Sequence, residues 1–460
     1  MSIEQNYKWT GRLVPFDHQK VTSAFLTENP KAFCFNEQGT GKTASAIWAA
    51  DYLMKKGEVK RVLVLCPLSI MKSAWQQDLF KFAMHRSCSV AHGDAKTREK
   101  IIKAGSEFVV LNFDGLAVVK DAVMAGGFDL IIVDEATAYK NAQTARWKTL
   151  HDVSKTVNWL WLMTGTPAAQ SPLDAYGLAR LVESSDCPRY FTQYRADVMY
   201  KATLFKWLPK PGADAYVHRI LQPAIRFERD ECLDLPDVTH VHREVPLTPQ
   251  QKKYYALLKT RMAMEADGEQ VTAVHAAAKL NKLLQISCGA VYTDTGEVLE
   301  FDVSNRIDVV KEVIAEASHK VLIFVPFTHT IELLRKALEA SGTSCGVISG
   351  DVSLNKRSAL VQQFQHGQEP HVLIIQPQAA SHGLTLTAAD TIVWYAPVTS
   401  VETYLQANAR INRPGQKSSM YIVHIQGSGV EANLYRMLQG NIENHQKIID
   451  LYRQEMETTP

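Results

Sequence analysis

The chain has 460 residues, 46% of them hydrophobic and 21% charged, with a formal net charge of +2. Such a length allows roughly three domains, or two large ones, and the composition excludes fibrous, disordered and disulfide-framed classes. Near-neutrality also excludes a uniformly basic nucleic-acid binder, so any such surface must gather its bases on one face.

The seven cysteines are scattered at positions 34, 66, 88, 187, 232, 288 and 345 without a Cys-x-x-Cys pair, which fits a reducing compartment. No apolar run reaches the roughly eighteen residues of a membrane span. The first residues, Met1 to Lys8, lack the apolar core of a signal peptide. A cytosolic or nuclear protein without a membrane partner is expected.

Taken in order, Ala32-Phe33-Cys34-Phe35 reads as a strand, Asn36-Glu37-Gln38-Gly39-Thr40-Gly41-Lys42-Thr43 as a glycine-bearing loop, and Ala44 to Ala50 as a helix. Strand, loop and helix in that order suit a phosphate-binding loop. Backbone N–H groups around Gly39, Thr40 and Gly41 and the helix N-terminus cradle phosphates, Lys42 reaches the β and γ oxygens, and Thr43 holds Mg²⁺. Asn36 stands where the strict pattern wants glycine.

Further short apolar runs follow at Arg61–Cys66, Phe108–Leu111, Leu130–Val133 and Trp159–Met163. Separated by helical stretches, they predict buried strands of a parallel sheet, whose ligands bind at the carboxyl ends. Each run ends in a polar or special cluster: the loop, Pro67-Leu68-Ser69, Asn112, Asp134-Glu135 and Thr164-Gly165-Thr166-Pro167. Asp134 suits the Mg²⁺ shell and Glu135 the attacking water.

From about 170 to 300 the periodicity turns helical. Residues 195–229 interleave bases and aromatics, including Arg195, Tyr200, Phe205, Lys206, Trp207 and Lys210, a mixture able to grip a nucleic-acid backbone or to form an amphipathic insertion with solvated lysines. Leu235 to Pro249 looks like a linker, Thr248-Pro249-Gln250-Gln251 opens a helix, and Val291 to Leu299 reads as a hairpin turning at Asp294–Gly296. A second alternating set has strands at Val321–Val325, Gly346–Ile348, Val372–Ile375, Thr391–Tyr395 and Tyr421–Ile425, closed by helix from Val430 to Glu457. Gln406 to Gln416 carries Arg410 and Arg413, whose spacing predicts one helical face; arginines of this kind meet the charge that develops on a transferring phosphoryl group.

The ordered motifs resemble the core of helicase superfamily two and, within it, the Swi/Snf-type DNA translocases. Pro15-Phe16-Asp17-His18-Gln19 is similar to their adenine-reading segment, Glu37–Thr43 to motif I, Leu65–Ser69 through Trp75 to motif Ia, and Val133-Asp134-Glu135-Ala136-Thr137 with Lys140-Asn141 to motif II. Leu162–Pro167 resembles motif III. Ile225–Arg229 with Leu235-Pro236 resembles the segment closing the first lobe, and Lys279–Ile286 the helix before the second. Val321–Phe327 resembles motif IV, Gly383–Asp390 motif V and Gln406–Gln416 motif VI. Thr137, Ala409 and Asn412 depart from the usual residues, and Pro377–His382 is more similar to the annealing, fork-remodelling branch.

The resemblance implies an α/β fold of two RecA-like lobes with parallel sheets and helical insertions: residues 1–235 as lobe 1, 236–303 as linker, helices and hairpin, and 304–460 as lobe 2. It implies an ATP-dependent DNA translocase or helicase using ATP and Mg²⁺. Phe16 and Gln19 would read adenine; Thr164, Thr166 and Gly383 would couple nucleotide state to motion; Gln406, Arg410 and Arg413 would complete hydrolysis with Lys42, Asp134 and Glu135. Ser69, Lys72 and Asn112 in lobe 1, and Thr328, Ser349 and Thr385 in lobe 2, would hold the DNA backbone without reading sequence. Duplex or branched DNA is the expected partner, with unidentified replication or recombination proteins beside it. The cytoplasm of a bacterial or phage-infected cell is the expected location. An RNA helicase of the same superfamily and a non-hydrolysing ATP-gated clamp are the alternatives.

Overall fold

The central strands are the stretches that the sequence makes apolar on both faces. A computed structural model of the chain describes residues 2–10, 14–168, 171–202, 207–233, 235–266, 273–292, 298–380 and 385–440. It divides into two compact units, Met1–Asp234 and Leu235–Pro460. The first carries β1 (Lys31–Cys34), β2 (Val62–Cys66), β3 (Cys88–Val90), β4 (Phe108–Asn112), β5 (Leu130–Asp134) and β6 (Trp159–Met163). An antiparallel ribbon, β7 (Met199–Lys201) with β8 (Trp207–Pro209), and then β9 (Ala224–Ile225) complete it. All but the ribbon form a parallel sheet in the order β3-β4-β2-β5-β6-β1-β9.

Alternate residues of the inner strands enter two different cores. Leu63, Leu65, Ile131 and Val133 pack on one face, whereas Val62, Val64, Leu130 and Ile132 pack on the other. A sheet covered on both sides has no polar alternation to show, which is why these strands are uniform apolar runs. Each fully buried Val, Leu or Ile contributes about 1.5–3 kcal/mol.

The second unit repeats the plan. After β10 (Val238–Glu244) and a hairpin of β11 (Ala290–Tyr292) and β12 (Val298–Glu300) come β13 (Lys320–Phe324), β14 (Cys345–Ile348), β15 (Val372–Ile375), β16 (Ala389–Trp394) and β17 (Met420–Gln426). The parallel order is β10-β17-β16-β13-β15-β14. Here too Leu322 and Phe324 face one core while Val321 and Ile323 face the other. The fold is α/β with two parallel-sheet lobes. Among the described residues no helix is long and apolar enough to cross a membrane.

Several expectations change. The stretch expected to be a linker contains β10, which pairs with β17 over all seven of its residues, so the second unit begins before the helices that precede its other strands. The supposedly helical middle includes the β7–β8 ribbon and the edge strand β9. The hairpin strands form as expected, but the turn at Asp294–Gly296 lies outside the described residues, as do Phe205 and Lys206. The last helix among the described residues runs Gly429–Leu438, and the expected helix from residue 441 on, to Glu457, lies outside them.

The new edge strand brings a histidine cluster. His240 and His242 of β10 stack on buried His424 of β17 with ring centroids 5.6 and 4.9 Å apart. His424 Nδ1 donates to Val241 O at 3.3 Å, and its Nε2 accepts from the Tyr404 hydroxyl at 2.8 Å. Burial, with His242 and His240 beside it, pushes this imidazole down to about 3 from an ordinary 6.5. The unfolded chain therefore binds a proton that the fold refuses, and the second unit should lose stability as pH falls from about 6.5 towards 3. Thermal melts of wild type and His424→Gln across that window check this: the variant should lose part of the slope.

Candidate functional site

The site of the first unit is set by strand register. Cys34 of β1 and Asp134 of β5 both pair with Met163 of β6. The phosphate-loop candidate, Asp134-Glu135 and Thr164 therefore leave the sheet at one level, on the carboxyl edge where ligands of parallel sheets bind.

Gly39 and Gly41 have φ of +88° and +84°, a conformation that glycine alone adopts freely. A Cβ on Gly41 would also run into the Gln19 amide. Gly41 caps the helix Lys42–Lys55, whose first turn holds no acidic residue, so its free N–H groups and positive dipole end suit an anion. Lys42 Nζ donates to Asn36 O at 2.7 Å and Glu37 O at 3.0 Å, curling over the loop whose phosphate it is expected to meet. Thr43, the expected Mg²⁺ ligand, sits half-buried in the first helical turn.

Asn36 has a use that the glycine of the strict pattern could not serve. Buried, it donates from Nδ2 to Thr22 Oγ1 at 2.8 Å and accepts the Phe227 N–H on Oδ1 at 3.0 Å. Glu37 N donates to Phe227 O at 2.9 Å, and the Glu37 carboxylate accepts Arg229 N at 3.1 Å and pairs with Arg226 at 3.5 Å. The loop is thus tied to the segment after β9. These partners are nearly two hundred residues away in sequence, and no local signal could have named them.

Gln19 is held by hydrogen bonds within the first unit. Its Oε1 accepts Phe16 N at 3.1 Å and its Nε2 donates to Thr40 O at 3.0 Å, beside His18 Nε2 donating to the same carbonyl at 2.8 Å. The amide braces the phosphate loop, so its adenine contact would require exchange of these bonds. Phe16 remains 46% exposed, stacked on His18.

Asp134 is buried. Its Oδ2 accepts the Trp75 indole N–H at 2.9 Å and its Oδ1 accepts Glu135 N at 3.1 Å. Burial pushes its carboxyl above the ordinary range, opposed by the charge of Lys42 and by the Trp75 and Glu135 hydrogen bonds. Glu135 is left-handed at φ +57°, a conformation that costs a non-glycine residue about 1–3 kcal/mol and clusters at functional positions. Thr164 is fully buried, its N–H on Cys34 O at 3.0 Å and its Oγ1 accepting from Thr166 N at 3.3 Å. The half-buried Thr166 thereby follows the phosphate-loop strand.

A magnesium nucleotide fits these residues. The Lys42 ammonium is held by carbonyls that a phosphate could replace, the helix start is free of carboxylates, and each Asp134 oxygen has spare lone pairs beside its N–H donor. Thr43 and Asp134 would hold the ion.

The outer residues are less uniform. Ser69 and Lys72 follow β2, and Asn112 ends β4, on the same carboxyl edge. Arg98 Nη1 donates to Asn112 Oδ1 at 2.7 Å. In the second unit Thr328 is exposed at the start of the helix Thr328–Ala340, whereas Ser349, expected to hold the DNA backbone, is 7% exposed with its carbonyl on Arg357 Nη2. Thr385 precedes β16 and accepts from Arg413 Nη1 at 3.2 Å. Gly383 lies outside the described residues.

Arg410 and Arg413 do not share a helical face. The helix Val401–Asn408 carries buried Gln406, bonded to Glu402 at 3.1 Å, and ends before either arginine. Both lie in the turns beyond, where Arg413 Nε donates to Ala409 O at 2.8 Å. Arg410 is buried at 2% exposure and its carbonyl accepts Leu386 N, whereas Arg413 is half-buried. Asn412 is buried with Oδ1 lacking a donor among the described residues.

The family matches divide the chain between residues 289 and 305, further along than the boundary after Asp234 that separates the two units. The SNF2-related domain matches residues 19–289, and the helicase conserved C-terminal domain matches residues 305–415. The mouse chromodomain-helicase-DNA-binding protein 1-like is 27% identical over 436 residues, covering 90% of this chain and 47% of its own length. Protein p41 of Acyrthosiphon pisum secondary endosymbiont phage 1 is 24% identical over 89% of this chain and 92% of its own. The chain thus spans about half the length of the mouse relative. Among solved structures, the Sulfolobus solfataricus SWI2/SNF2 ATPase core in complex with dsDNA is 20% identical, covers 98% of this chain and 96% of its own, and superposes with a TM-score of 0.47. With an SNF2-related domain over more than half its residues and a helicase C-terminal domain after it, the chain belongs to the SNF2-related family.

Proposed function

We propose that the chain is a DNA-dependent ATPase that moves along duplex or branched DNA and remodels forks and branches, in the cytoplasm of a bacterial or phage-infected cell. The observation that carries the reading is the common level of Cys34, Met163 and Asp134 across β1, β6 and β5. It brings the glycine-bearing loop, the acid pair and Thr164 to one edge, which supports a nucleotide site there. The name of the mouse relative, which includes helicase and DNA binding, supports the choice of partner.

Bound magnesium ATP would supply the phosphoryl group and the ion that offsets its charge. Lys42 and the helix N-terminus bind and orient the phosphates, while Thr43 and Asp134 hold the ion. Glu135 accepts a proton from the attacking water. Arg410 and Arg413 supply positive charge for the phosphoryl oxygens, and Ser69, Lys72, Asn112 and Thr328 take the DNA backbone. Buried Ser349 would act through its loop, and Thr385 through Arg413. Thr164 and Thr166 carry changes at the nucleotide outwards.

Phosphate release is the test, measured with linear duplex, forked and four-way DNA, single-stranded DNA and single-stranded RNA. Stimulation by duplex and a larger rate on branched DNA are expected. Preference for RNA would support the RNA-helicase alternative, and nucleotide binding without turnover would support the clamp.

A further inference from the structure

The geometry points to Trp75 as the positioning residue that links DNA contact at Ser69 and Lys72 to the metal-site acid Asp134. The inference rests on the ATPase reading above and adds a route between its two ends within the first unit.

Trp75 is fully buried, in the same core as Ile70, Met71, Leu79 and Phe82. A buried indole needs an acceptor for its N–H. Trp48, Trp147 and Trp161 give theirs to the backbone carbonyls of Thr10, Gly177 and Asn29. Trp75 instead donates to Oδ2 of a buried carboxylate at 2.9 Å. A charge-assisted bond of this kind is about twice as strong as a neutral one, and it fixes which way the carboxylate plane faces.

The other end of the route is backbone. Trp75 belongs to a π-helical turn, Met71–Gln76, directly after the single 3₁₀ turn Leu68–Ile70 and before the helix Gln77–Phe82. Gln77 N donates to both Lys72 O and Ala74 O, closing the wide turn on the residue expected to meet DNA. Such turns are rare and recur at functional places. Lys72 is exposed and Ser69 half-buried, so the outer end is open to a phosphate while the inner end holds Asp134. Tightening the turn to ordinary α-helix would rotate Trp75 relative to Lys72. A phosphate drawn to Ser69 and Lys72 therefore works on the Trp75–Asp134 bond. Linkage requires the reverse as well: a ligand reorienting Asp134 must change affinity for the phosphate.

The test uses the full chain with nitrogen-15-labelled tryptophan. The Trp75 indole signal is assigned by its loss in Trp75→Phe, a change that keeps an aromatic ring in the core and removes only the N–H and part of the ring. That signal should move when duplex DNA is added without nucleotide, and again when magnesium ADP is added without DNA. In wild type, magnesium ADP should change duplex affinity by about 5–150-fold, the usual range of such coupling; in Trp75→Phe the factor should fall to near one while each ligand still binds. A Trp75 signal indifferent to DNA overturns the inference, as does a variant with the wild-type coupling factor. If the variant does not fold, the signal is assigned by its response to Asp134→Asn, and its movement with DNA in wild type still decides. Wild type that binds neither ligand overturns the ATPase reading itself, and with it this route.

Discussion

Glu135→Gln should leave nucleotide affinity within a few-fold of wild type and lower DNA-stimulated phosphate release by about 10²–10⁴-fold, the usual contribution of a positioned base. The amide keeps the shape of the side chain and the left-handed backbone at φ +57°, so the strain of that turn is unchanged and only proton acceptance is lost. Asp134 also keeps its hydrogen bond from the N–H of residue 135. Single-turnover phosphate release and equilibrium binding of magnesium ATP separate the two effects. A variant that hydrolyses normally would remove Glu135 from the chemistry, and one that no longer binds nucleotide would make it structural.

The second large effect is expected at Arg413. Replacing it by alanine should lower hydrolysis on DNA by about 10³-fold or more, as the loss of an arginine finger does. Among its bonds are those to the Ala409 carbonyl and the Thr385 hydroxyl, so the variant is expected to fold with a modest loss of stability. Arg410 is a poorer probe, because it is buried and its removal would leave a cavity in the core of its unit. Arg413→Lys should recover only part of the rate, since an ammonium keeps the charge and loses the planar fork. A thermal melt beside the rate measurement keeps folding and chemistry apart.

The inner strands of both sheets are legible in the sequence because they are buried on two faces and so run apolar throughout. The edges are not. β3 and β9 are too short to stand out, and β10, with His240 and His242 exposed, alternates like a surface stretch. A proline at 236 and another at 246 make the stretch resemble a linker. The placement of the glycine-bearing loop and of Asp134-Glu135 at the carboxyl edge is legible for a similar reason: each follows an apolar run at once. The geometry of the arginine pair is not legible. Spacing of three implies one face only while a helix lasts, and this helix stops at Asn408, whose side chain accepts the Trp394 indole at 2.9 Å. Pro414 is the available warning, since the residue before a proline avoids helical backbone. Asn36 and Gln19 illustrate a different limit. Their partners, Thr22 and Phe227 for one and Phe16 and Thr40 for the other, are chosen by tertiary packing, and a single sequence carries no sign of it.

The proposed function assigns Glu135 and Arg413 to the same chemical step. A double-mutant cycle on phosphate release tests that assignment directly, using Glu135→Gln, Arg413→Ala and the two together on saturating duplex DNA. Groups acting as one catalytic unit are strongly non-additive, so the double variant should be little slower than the slower single. If the two losses instead multiply in full, Glu135 and Arg413 act independently, and the proposal that both serve one step is contradicted.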